Sequence, residues 1–221
     1  MKTKRFGFWF NGIIIILSIC AEMFLIIFAN GTLVGFIVTI TGVFSALLTS
    51  KKKSLNFIFG IVNSLSYAYI SQKTGLWGET INALLYVPLN IIGVIVWRTI
   101  QKKFKYIKTK NLNISTLILI FSFNIILSML IGNLLSQIES QSMAYTDAIA
   151  SVFLFSATIF SILRYQEQWT CYNIANVILL VLWGYQLFNF NVEVCSVFIL
   201  RILYLAVGIY GHYQWAKNPP L

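Results

Sequence analysis

A polar segment passes directly into an apolar one at Arg164-Tyr-Gln-Glu-Gln-Trp169-Thr-Cys-Tyr172-Asn-Ile-Ala-Asn176, followed by Val-Ile-Leu-Leu-Val-Leu-Trp183. In a helix, one amide and three aromatic rings share a face: Trp169, Tyr172, Asn176 and Trp183. An amide flanked by rings suits a flat polar or cationic ligand, because the amide donates and accepts hydrogen bonds while the rings stack. The alternative is that the tryptophans anchor the helix at the membrane interface and Asn176 bonds a neighbouring helix.

The composition places the chain in a membrane. Of its 221 residues, 58% are hydrophobic and 10% are charged, and the mean hydropathy is +0.81. These values predict a polytopic, all-α membrane protein in contact with lipid, with no soluble domain. The net charge of +10 comes from short loops beside apolar segments, so it reports topology and does not indicate nucleic-acid binding.

Eight apolar segments are long enough to cross a bilayer. They span residues 8–29, 31–50, 55–72, 80–99, 112–135, 145–163, 168–187 and 194–215. All are predicted to be helices, because open strands leave backbone groups unpaired in lipid. The first two are separated only by Asn30-Gly31, which predicts a tight helical hairpin.

Basic residues lie on one side of the predicted bundle. The loops of that side contain Lys2, Lys4, Arg5, Lys51 to Lys53, Arg98 to Lys110, Arg164 and Lys217. The opposite loops are predicted to contain Lys73, Glu79, Glu139, Asp147 and Glu193. Because basic loops stay in the cytoplasm, the pattern predicts eight crossings of a bacterial cytoplasmic membrane with both termini inside.

A weak internal repeat relates two parts of the chain. Phe44-Ser45-Ala46 recurs as Phe155-Ser156-Ala157, and the Gly93 to Trp97 ending recurs as Gly211 to Trp215. The predicted units are residues 1–30, an extra N-terminal helix; 31–100, a three-helix unit; 101–140, a basic linker and linker helix; and 141–221, a second three-helix unit. This 3+1+3 order is a parallel repeat, which places a substrate site where the units face each other.

Two further helices carry polar stripes. The fourth segment has Asn82, Tyr86, Asn90, Gly93 and Trp97 on one face, and the third has Asn56, Gly60, Asn63 and Tyr67. Uncharged groups on an inward face can hold a sugar or a base edge and still release it. The alternative is that they only join helices. Asn63 follows the first Phe-Ser-Ala copy at about the distance at which Asn176 follows the second, which favours a shared site.

Three residues in the apolar segments break the local pattern. Pro88 interrupts the backbone bonding of the fourth helix and is interpreted either as a hinge for alternating access or as a static kink. Glu22 and Arg201 are the only charges placed well inside spans, so each must face protein or water. Arg201 is predicted to pair with Glu193, Asp147 or Glu22, or to close an outer gate.

Enzymatic and energised functions find no support in the sequence. It has no glycine-rich phosphate loop for ATP, and its single histidine cannot supply a catalytic constellation inside the membrane. No cofactor or metal site is predicted. The repeated core is expected to lack an acid inside the membrane, and ion coupling normally requires one. Passive transport is the function that remains.

At this point the sequence resembles the PnuC family of bacterial vitamin transporters. The resemblance rests on Gly75-Leu76-Trp77-Gly78-Glu79 with Asn82 and Tyr86, on the Gly93 to Trp97 ending, and on Arg164 to Trp169. It implies a core similar to the SWEET sugar transporters and a homotrimer with one pathway per protomer. It also implies facilitated diffusion of nicotinamide riboside, with phosphorylation by a cytosolic kinase trapping the product.

Tyr172 departs from the nicotinamide-riboside motif of that family, which is Trp, two residues, Trp, three residues, then Asn or Asp. Trp169 and Asn176 match it, but Tyr172 stands at the second Trp. Similar proteins are associated with deoxynucleosides, thiamine and riboflavin, so these ligands stay open. Two other hypotheses are a membrane substrate-binding component that needs an ATPase partner, and a structural protein with no substrate.

Overall fold

The computed structural model describes residues 2–104, 107–189 and 192–217, with side chains described at residues 7–104, 107–188 and 192–217. The side chains of Lys2, Lys4 and Arg5 and part of the basic linker lie outside this part. Within it the chain forms eight helices. They are α1 (Lys2–Ala29), α2 (Leu33–Ser50), α3 (Leu55–Lys73), α4 (Trp77–Phe104), α5 (Ile114–Leu135), α6 (Ala144–Leu163), α7 (Gln168–Gln186) and α8 (Val192–Ala216). The predicted helices are confirmed, and α7 is followed by a short 3-10 turn, Leu187–Asn189.

Six of these helices are apolar and long enough to cross a membrane by composition, and α3 and α7 are not among them. Both carry asparagines within their length: Asn56 and Asn63 in α3, and Asn173 and Asn176 in α7. Such residues lower the hydropathy of a segment, but they can face protein instead of lipid. Helices α3 and α7 are therefore expected to contribute polar side chains to the interior of the bundle.

The main helix contacts close into a ring. Going round, α2 packs on α3, α3 on α4, α4 on α6, α6 on α7, α7 on α8, and α8 on α2. Helix α1 lies outside the ring against α2 and α8, and α5 lies outside it against α6. The interior enclosed by six helices is the place where inward side chains meet.

The turns define two ends of this bundle. At the hairpin end, Asn30 has a φ of 55°, and the Gly31 N–H donates to the Leu25 carbonyl at 2.9 Å, which confirms the tight turn between α1 and α2. The α3–α4 and α5–α6 turns meet at the same end. The terminal end holds the α2–α3, α4–α5 and α6–α7 connections and the end of α8. There the Lys110 N–H donates to the Arg164 carbonyl at 2.9 Å.

The prediction that Glu79 and Asp147 lie in loops is wrong. Glu79 is 1% exposed and Asp147 is fully buried, in the first turns of α4 and α6. One oxygen of Asp147 accepts the Gly78 backbone N–H at 2.8 Å, at the start of α4. Carboxylates are stabilised at helix N-termini, because the first N–H groups lack partners within the helix. Hydropathy therefore assigned two buried acids to solvent, and one of them, Asp147, caps the start of α4.

Candidate ligand-binding site

A cavity of about 120 Å³ lies inside the ring of helices. All six ring helices contribute to its wall, and α1 and α5 contribute nothing. An apolar cavity of about 150 Å³ holds a benzene ring, so this one is close to the size of a single aromatic ring. That this cavity is the substrate site predicted between two three-helix units stays a prediction.

Most of the residues singled out by the polar stripes border this cavity. They are Asn56, Gly60, Asn63, Tyr67, Asn82, Tyr86, Asn90, Trp169, Tyr172 and Asn176, and Arg201, which lies on none of the stripes, borders the cavity as well. Stripes from α3, α4 and α7 thus converge on one space, although they are far apart in the sequence. Their convergence makes the cavity the candidate site. Their contact with a substrate stays a prediction.

Two buried polar atoms of α7, on residues that border the cavity, lack a hydrogen-bond partner among the described residues. Trp169 and Asn176 are 2% and 3% exposed and both border the cavity. Within the described part of the chain, neither the Trp169 Nε1 donor nor the Asn176 Oδ1 acceptor has a hydrogen-bond partner. A buried polar atom without a partner costs free energy. The pair therefore supplies one donor and one acceptor that a bound molecule can satisfy.

Aromatic rings flank these two atoms. The ring centroids of Trp169 and Tyr172 are 6.2 Å apart, with the planes inclined by 58°. Tyr86 and Tyr204 add two further rings to the wall from α4 and α8. Tilted rings around a narrow cavity offer both faces and edges to a flat ligand.

A group of hydroxyls lies on the α4 and α6 side of the cavity. The Thr158 hydroxyl donates to the Leu154 carbonyl at 3.0 Å, and its oxygen is 3.4 Å from the Tyr172 hydroxyl oxygen. Because the Thr158 hydrogen is committed, Tyr172 is the donor in this weak contact. The Tyr86 hydroxyl accepts from Asn82 Nδ2 at 3.2 Å. Sequence reasoning missed Thr158, because a threonine that bonds its own helix gives no polar stripe.

Asn63 uses its amide within the protein. Its Nδ2 donates to the Val38 carbonyl of α2 at 2.8 Å, and its Oδ1 accepts from the Tyr204 hydroxyl at 3.3 Å. It therefore differs from Asn176, although the repeat pairs the two positions. Asn63 thus joins helices and also borders the cavity, and its contact with a substrate stays a prediction.

A buried ion pair closes the wall toward the hairpin end. An Arg201 nitrogen of α8 is 3.0 Å from Glu79 Oε2 of α4. The same carboxylate accepts from the Tyr67 hydroxyl of α3 and, at 3.1 Å, from the Ser151 hydroxyl of α6. The prediction that Arg201 pairs with Glu193, Asp147 or Glu22 is wrong, because Glu79 faces inward from the first turn of α4.

Two predicted residues lie off the cavity wall. Trp183 is fully buried behind Tyr67, to whose hydroxyl its Nε1 donates at 3.0 Å, so the Tyr67 ring separates it from the cavity. Pro88 is exposed on the outer face of α4, which runs unbroken from Trp77 to Phe104. Trp183 thus supports the wall and does not form it. It lies two helical turns beyond Asn176 on the same face of α7, and there this face contacts Tyr67, which is bonded to Glu79 of the ion pair.

Glu22 belongs to a different part of the molecule. It is 1% exposed on α1 and accepts from the Thr39 hydroxyl at 2.6 Å and the Ser196 hydroxyl at 3.0 Å. These bonds join α1 to α2 and α8, outside the cavity. The predicted protein-facing position of Glu22 is confirmed, and its contacts are structural.

The charges around the cavity cancel. Among the residues that border it, Glu79 and Arg201 are the only charged ones, and they form one pair. The described residues contain no group of three or more histidine, cysteine, aspartate or glutamate side chains that could hold a metal ion. The described wall of the cavity thus carries no net charge and consists largely of aromatic rings and amides.

Comparison with known proteins identifies similar molecules. A family model described as nicotinamide mononucleotide transporter matches residues 32–218. The nicotinamide riboside transporter PnuC of Neisseria mucosa is 24% identical over 224 residues, which cover 98% of this chain and 85% of that protein. The protein of the same name from Haemophilus influenzae is 25% identical over 224 residues, covering 98% and 95%.

A solved structure shares the fold. The crystal structure of the vitamin B3 transporter PnuC superposes with a TM-score of 0.80 at 24% sequence identity, covering 95% of this chain and 91% of that one. At this identity the likeness concerns the helical architecture. It extends over nearly the whole chain, including α1.

Proposed function

We propose that this chain, which belongs to the nicotinamide mononucleotide transporter family, carries a nucleoside-like vitamin across the membrane through the cavity within the helix ring. The family consists of transporters and not of enzymes, and the chain is a multi-pass inner-membrane protein. One observation carries the proposal: Trp169 and Asn176, whose Nε1 and Oδ1 have no partner among the described residues, both border a cavity about the size of one aromatic ring. Since both similar proteins are named nicotinamide riboside transporters, that riboside or a related deoxynucleoside is the proposed ligand.

The charge of the cavity favours a nucleoside over a nucleotide. A phosphate monoester carries a charge of about −1.5 to −2 at neutral pH. Arg201 is the only cation on the wall, and Glu79 already compensates it. A buried phosphate would therefore receive no counter-ion from the protein, which is costly in a medium of low dielectric constant, whereas the aromatic rings of the wall can stabilise the pyridinium of the riboside. The riboside, and not the mononucleotide of the family's name, is the better match.

The 3+1+3 repeat is part of the proposal, with α1 as the extra helix and α5 as the linker. Its support is that the helix contacts repeat when α2, α3 and α4 are replaced by α6, α7 and α8, including the cross-contacts of α4 with α6 and α8 with α2. Residues of positive φ also recur, Lys52 after α2 at 57° and Arg164 after α6 at 70°. The homotrimer, the cytosolic kinase and the cytoplasmic termini implied by the resemblance stay predictions.

We propose uniport as the mode of transport, although the sequence argument for it needs correction. That argument assumed no acid inside the repeated core, whereas Glu79 and Asp147 are buried there. Both are held: Glu79 by Arg201, and Asp147 by the Gly78 N–H and, at 2.9 Å, by Gln141 Nε2. Asp147 does not border the cavity, and the charge of Glu79 is paired with Arg201, so neither carboxylate is left free to carry an ion along with the substrate.

Purified protein in liposomes is expected to equilibrate nicotinamide riboside without nucleotide or partner, and without accumulating it. The physical reason is that no ion moving down its own gradient supplies the work needed to concentrate the riboside inside the liposome. Uptake is measured with radiolabelled riboside, with and without an imposed proton or sodium gradient, and protein-free liposomes are the control. Accumulation driven by either gradient would refute uniport. A requirement for ATP and a second protein would favour the ATPase-dependent component.

Tyr172→Trp is expected to shift selectivity toward nicotinamide riboside. Indole is the best cation–π partner for a pyridinium, whereas the tyrosine hydroxyl offers a neutral base an extra donor and acceptor. We therefore propose that Tyr172 lets this protein prefer a neutral nucleoside, and that the variant raises the ratio of affinities for the riboside over deoxynucleosides roughly 3- to 10-fold. A binding panel that also contains thiamine and riboflavin measures it.

The matched control is Tyr213→Trp, which makes the same change on an exposed part of α8 outside the cavity. It should leave every affinity unchanged. An unchanged ratio in Tyr172→Trp would show that this position does not set specificity.

A further inference from the structure

A cluster of aromatic rings lies at the terminal end of the cavity. It consists of Phe57, Trp97, Trp169 and Trp215, none more than 3% exposed. The Trp97 ring centroid is 5.1 Å from that of Phe57 and 6.2 Å from that of Trp215. Phe57 and Trp169 border the cavity, and Trp97 and Trp215 pack against them outside the wall. The path from the cavity to the terminal end is therefore filled by this terminal aromatic cluster.

Two indole hydrogen bonds fasten the cluster. Trp97 Nε1 of α4 donates to the carbonyls of Ser161 at 3.2 Å and Ile162 at 3.3 Å, in the last turn of α6. Trp215 Nε1 of α8 donates to the carbonyl of Thr49 at 3.2 Å, in the last turn of α2. Each bond thus joins one three-helix unit to the other, at the contacts α4–α6 and α8–α2.

The acceptor carbonyls of Thr49 and Ser161 stay satisfied when these bonds break. The Thr49 carbonyl also accepts the Lys52 N–H at 2.9 Å, and the Ser161 carbonyl accepts the Arg164 N–H at 3.0 Å. A carbonyl has two lone pairs, so each indole occupies the second one. Releasing the indoles therefore leaves the Thr49 and Ser161 carbonyls paired, and each indole N–H can bond water instead. Such bonds are cheap to break and reform, as a gate requires.

Two glycines let the backbones of α4 and α8 approach the Phe57 and Trp169 rings closely. A Cβ on Gly93 would lie 2.4 Å from the Phe57 ring, and one on Gly211 would lie 2.4 Å from the Trp169 ring. Each glycine lies four residues before the tryptophan of its own helix. Helices α4 and α8 therefore each place a glycine against a ring that borders the cavity and a tryptophan against the other three-helix unit.

We infer that Trp97 and Trp215 are gating residues that close the terminal end of the cavity, each through a breakable indole hydrogen bond between the two units. The inference rests on the proposed transport through this cavity. The two ends of the cavity are then closed by different interactions. A buried ion pair closes the hairpin end, whereas aromatic packing and the indole hydrogen bonds of Trp97 and Trp215 close the terminal end. Opening at the terminal end requires α4 to leave α6 and α8 to leave α2.

The test measures access to a cysteine placed on the cavity wall. Ala46 borders the cavity, and Ala46→Cys is made after Cys20→Ser, Cys171→Ala and Cys195→Ser have removed the native thiols. An impermeant maleimide is applied to each side of oriented membrane vesicles. The terminal side is identified by protease removal of a tag on the C-terminus, so no orientation is assumed. The readout is the labelling rate from that side.

Trp97→Phe and Trp215→Phe keep a ring in the cluster but remove the indole N–H. Since a net hydrogen bond shifts an equilibrium by roughly 2- to 12-fold, each variant is expected to raise the terminal-side labelling rate by that factor. The double variant should approach the product of the two. Labelling from the opposite side should not rise.

Trp77→Phe is the matched control. It also loses an indole bond, from Trp77 Nε1 to the Ser140 hydroxyl at 2.8 Å, but at the hairpin end. A folded double variant that labels at the parental rate, or a Trp77→Phe rate that rises equally, would overturn the inference. If the double variant does not yield folded protein, each single variant is judged by the same criterion. No substrate enters the test, so its failure would leave the proposed ligand untouched.

Discussion

Glu79→Gln is expected to lower the free energy of unfolding by about 3 to 5 kcal/mol, the usual cost of removing one partner from a buried ion pair. The variant keeps the shape of the side chain but removes its charge and replaces one of the two accepting oxygens by a donating NH2 group. Arg201 is 4% exposed, and its Nε has no hydrogen-bond partner in the described residues. Without Glu79 the guanidinium would remain buried with no counter-ion on the cavity wall.

The effect is measured by thermal or SDS-induced unfolding of the detergent-solubilised protein. Glu79→Gln with Arg201→Gln should recover much of the lost stability, because no uncompensated charge remains. Glu193→Gln is the control: its partner Lys73, at 3.5 Å, has a side chain that is 45% exposed, so water can solvate the ammonium once the carboxylate is gone. Pairs whose remaining partner is solvated contribute about 0 to 1 kcal/mol, so this variant should lose far less stability than Glu79→Gln. Equal losses in Glu193→Gln and Glu79→Gln would contradict the role of the buried pair.

The sequence predicted the helices and their inward faces well, because both follow from local patterns. Hydropathy and length predict where a helix lies, and the helical period predicts which side chains share a face. The convergence of Asn82, Tyr86 and Asn176 on one cavity was within reach for this reason. No atomic distance had to be known.

The sequence could not predict how deeply a polar side chain is buried or which residue it pairs with. A carboxylate next to a predicted loop is expected to be exposed, so the burial of Glu79 in the first turn of α4 was missed. Its pairing with Arg201 joins residues 122 positions apart, and no local pattern encodes such a contact. Trp183 shares the helical face of Asn176 but lies behind Tyr67, because a shared face does not fix where a cavity ends.

Asn176→Ala is expected to weaken binding of nicotinamide riboside by about 1 to 3 kcal/mol, or roughly 5- to 150-fold, because a ligand donor loses its acceptor. The affinity is read from ligand-induced quenching of tryptophan fluorescence and confirmed by calorimetry. Asn173→Ala is the control: it removes the same side chain from the same helix, one turn away and off the cavity wall. That variant should bind with the parental affinity.

A second readout separates a ligand contact from helix packing at Asn176. If the amide only joined helices, its removal would lower the unfolding temperature and leave the affinity of the folded protein unchanged. The amide oxygen, however, has no partner among the described residues. Truncation should therefore cost little stability, since it removes an unsatisfied buried acceptor while the ring of Trp169 stays in place. A folded Asn176→Ala protein with unchanged affinity would move the binding site away from α7, whereas lost affinity at unchanged stability identifies Asn176 as a residue that the substrate contacts.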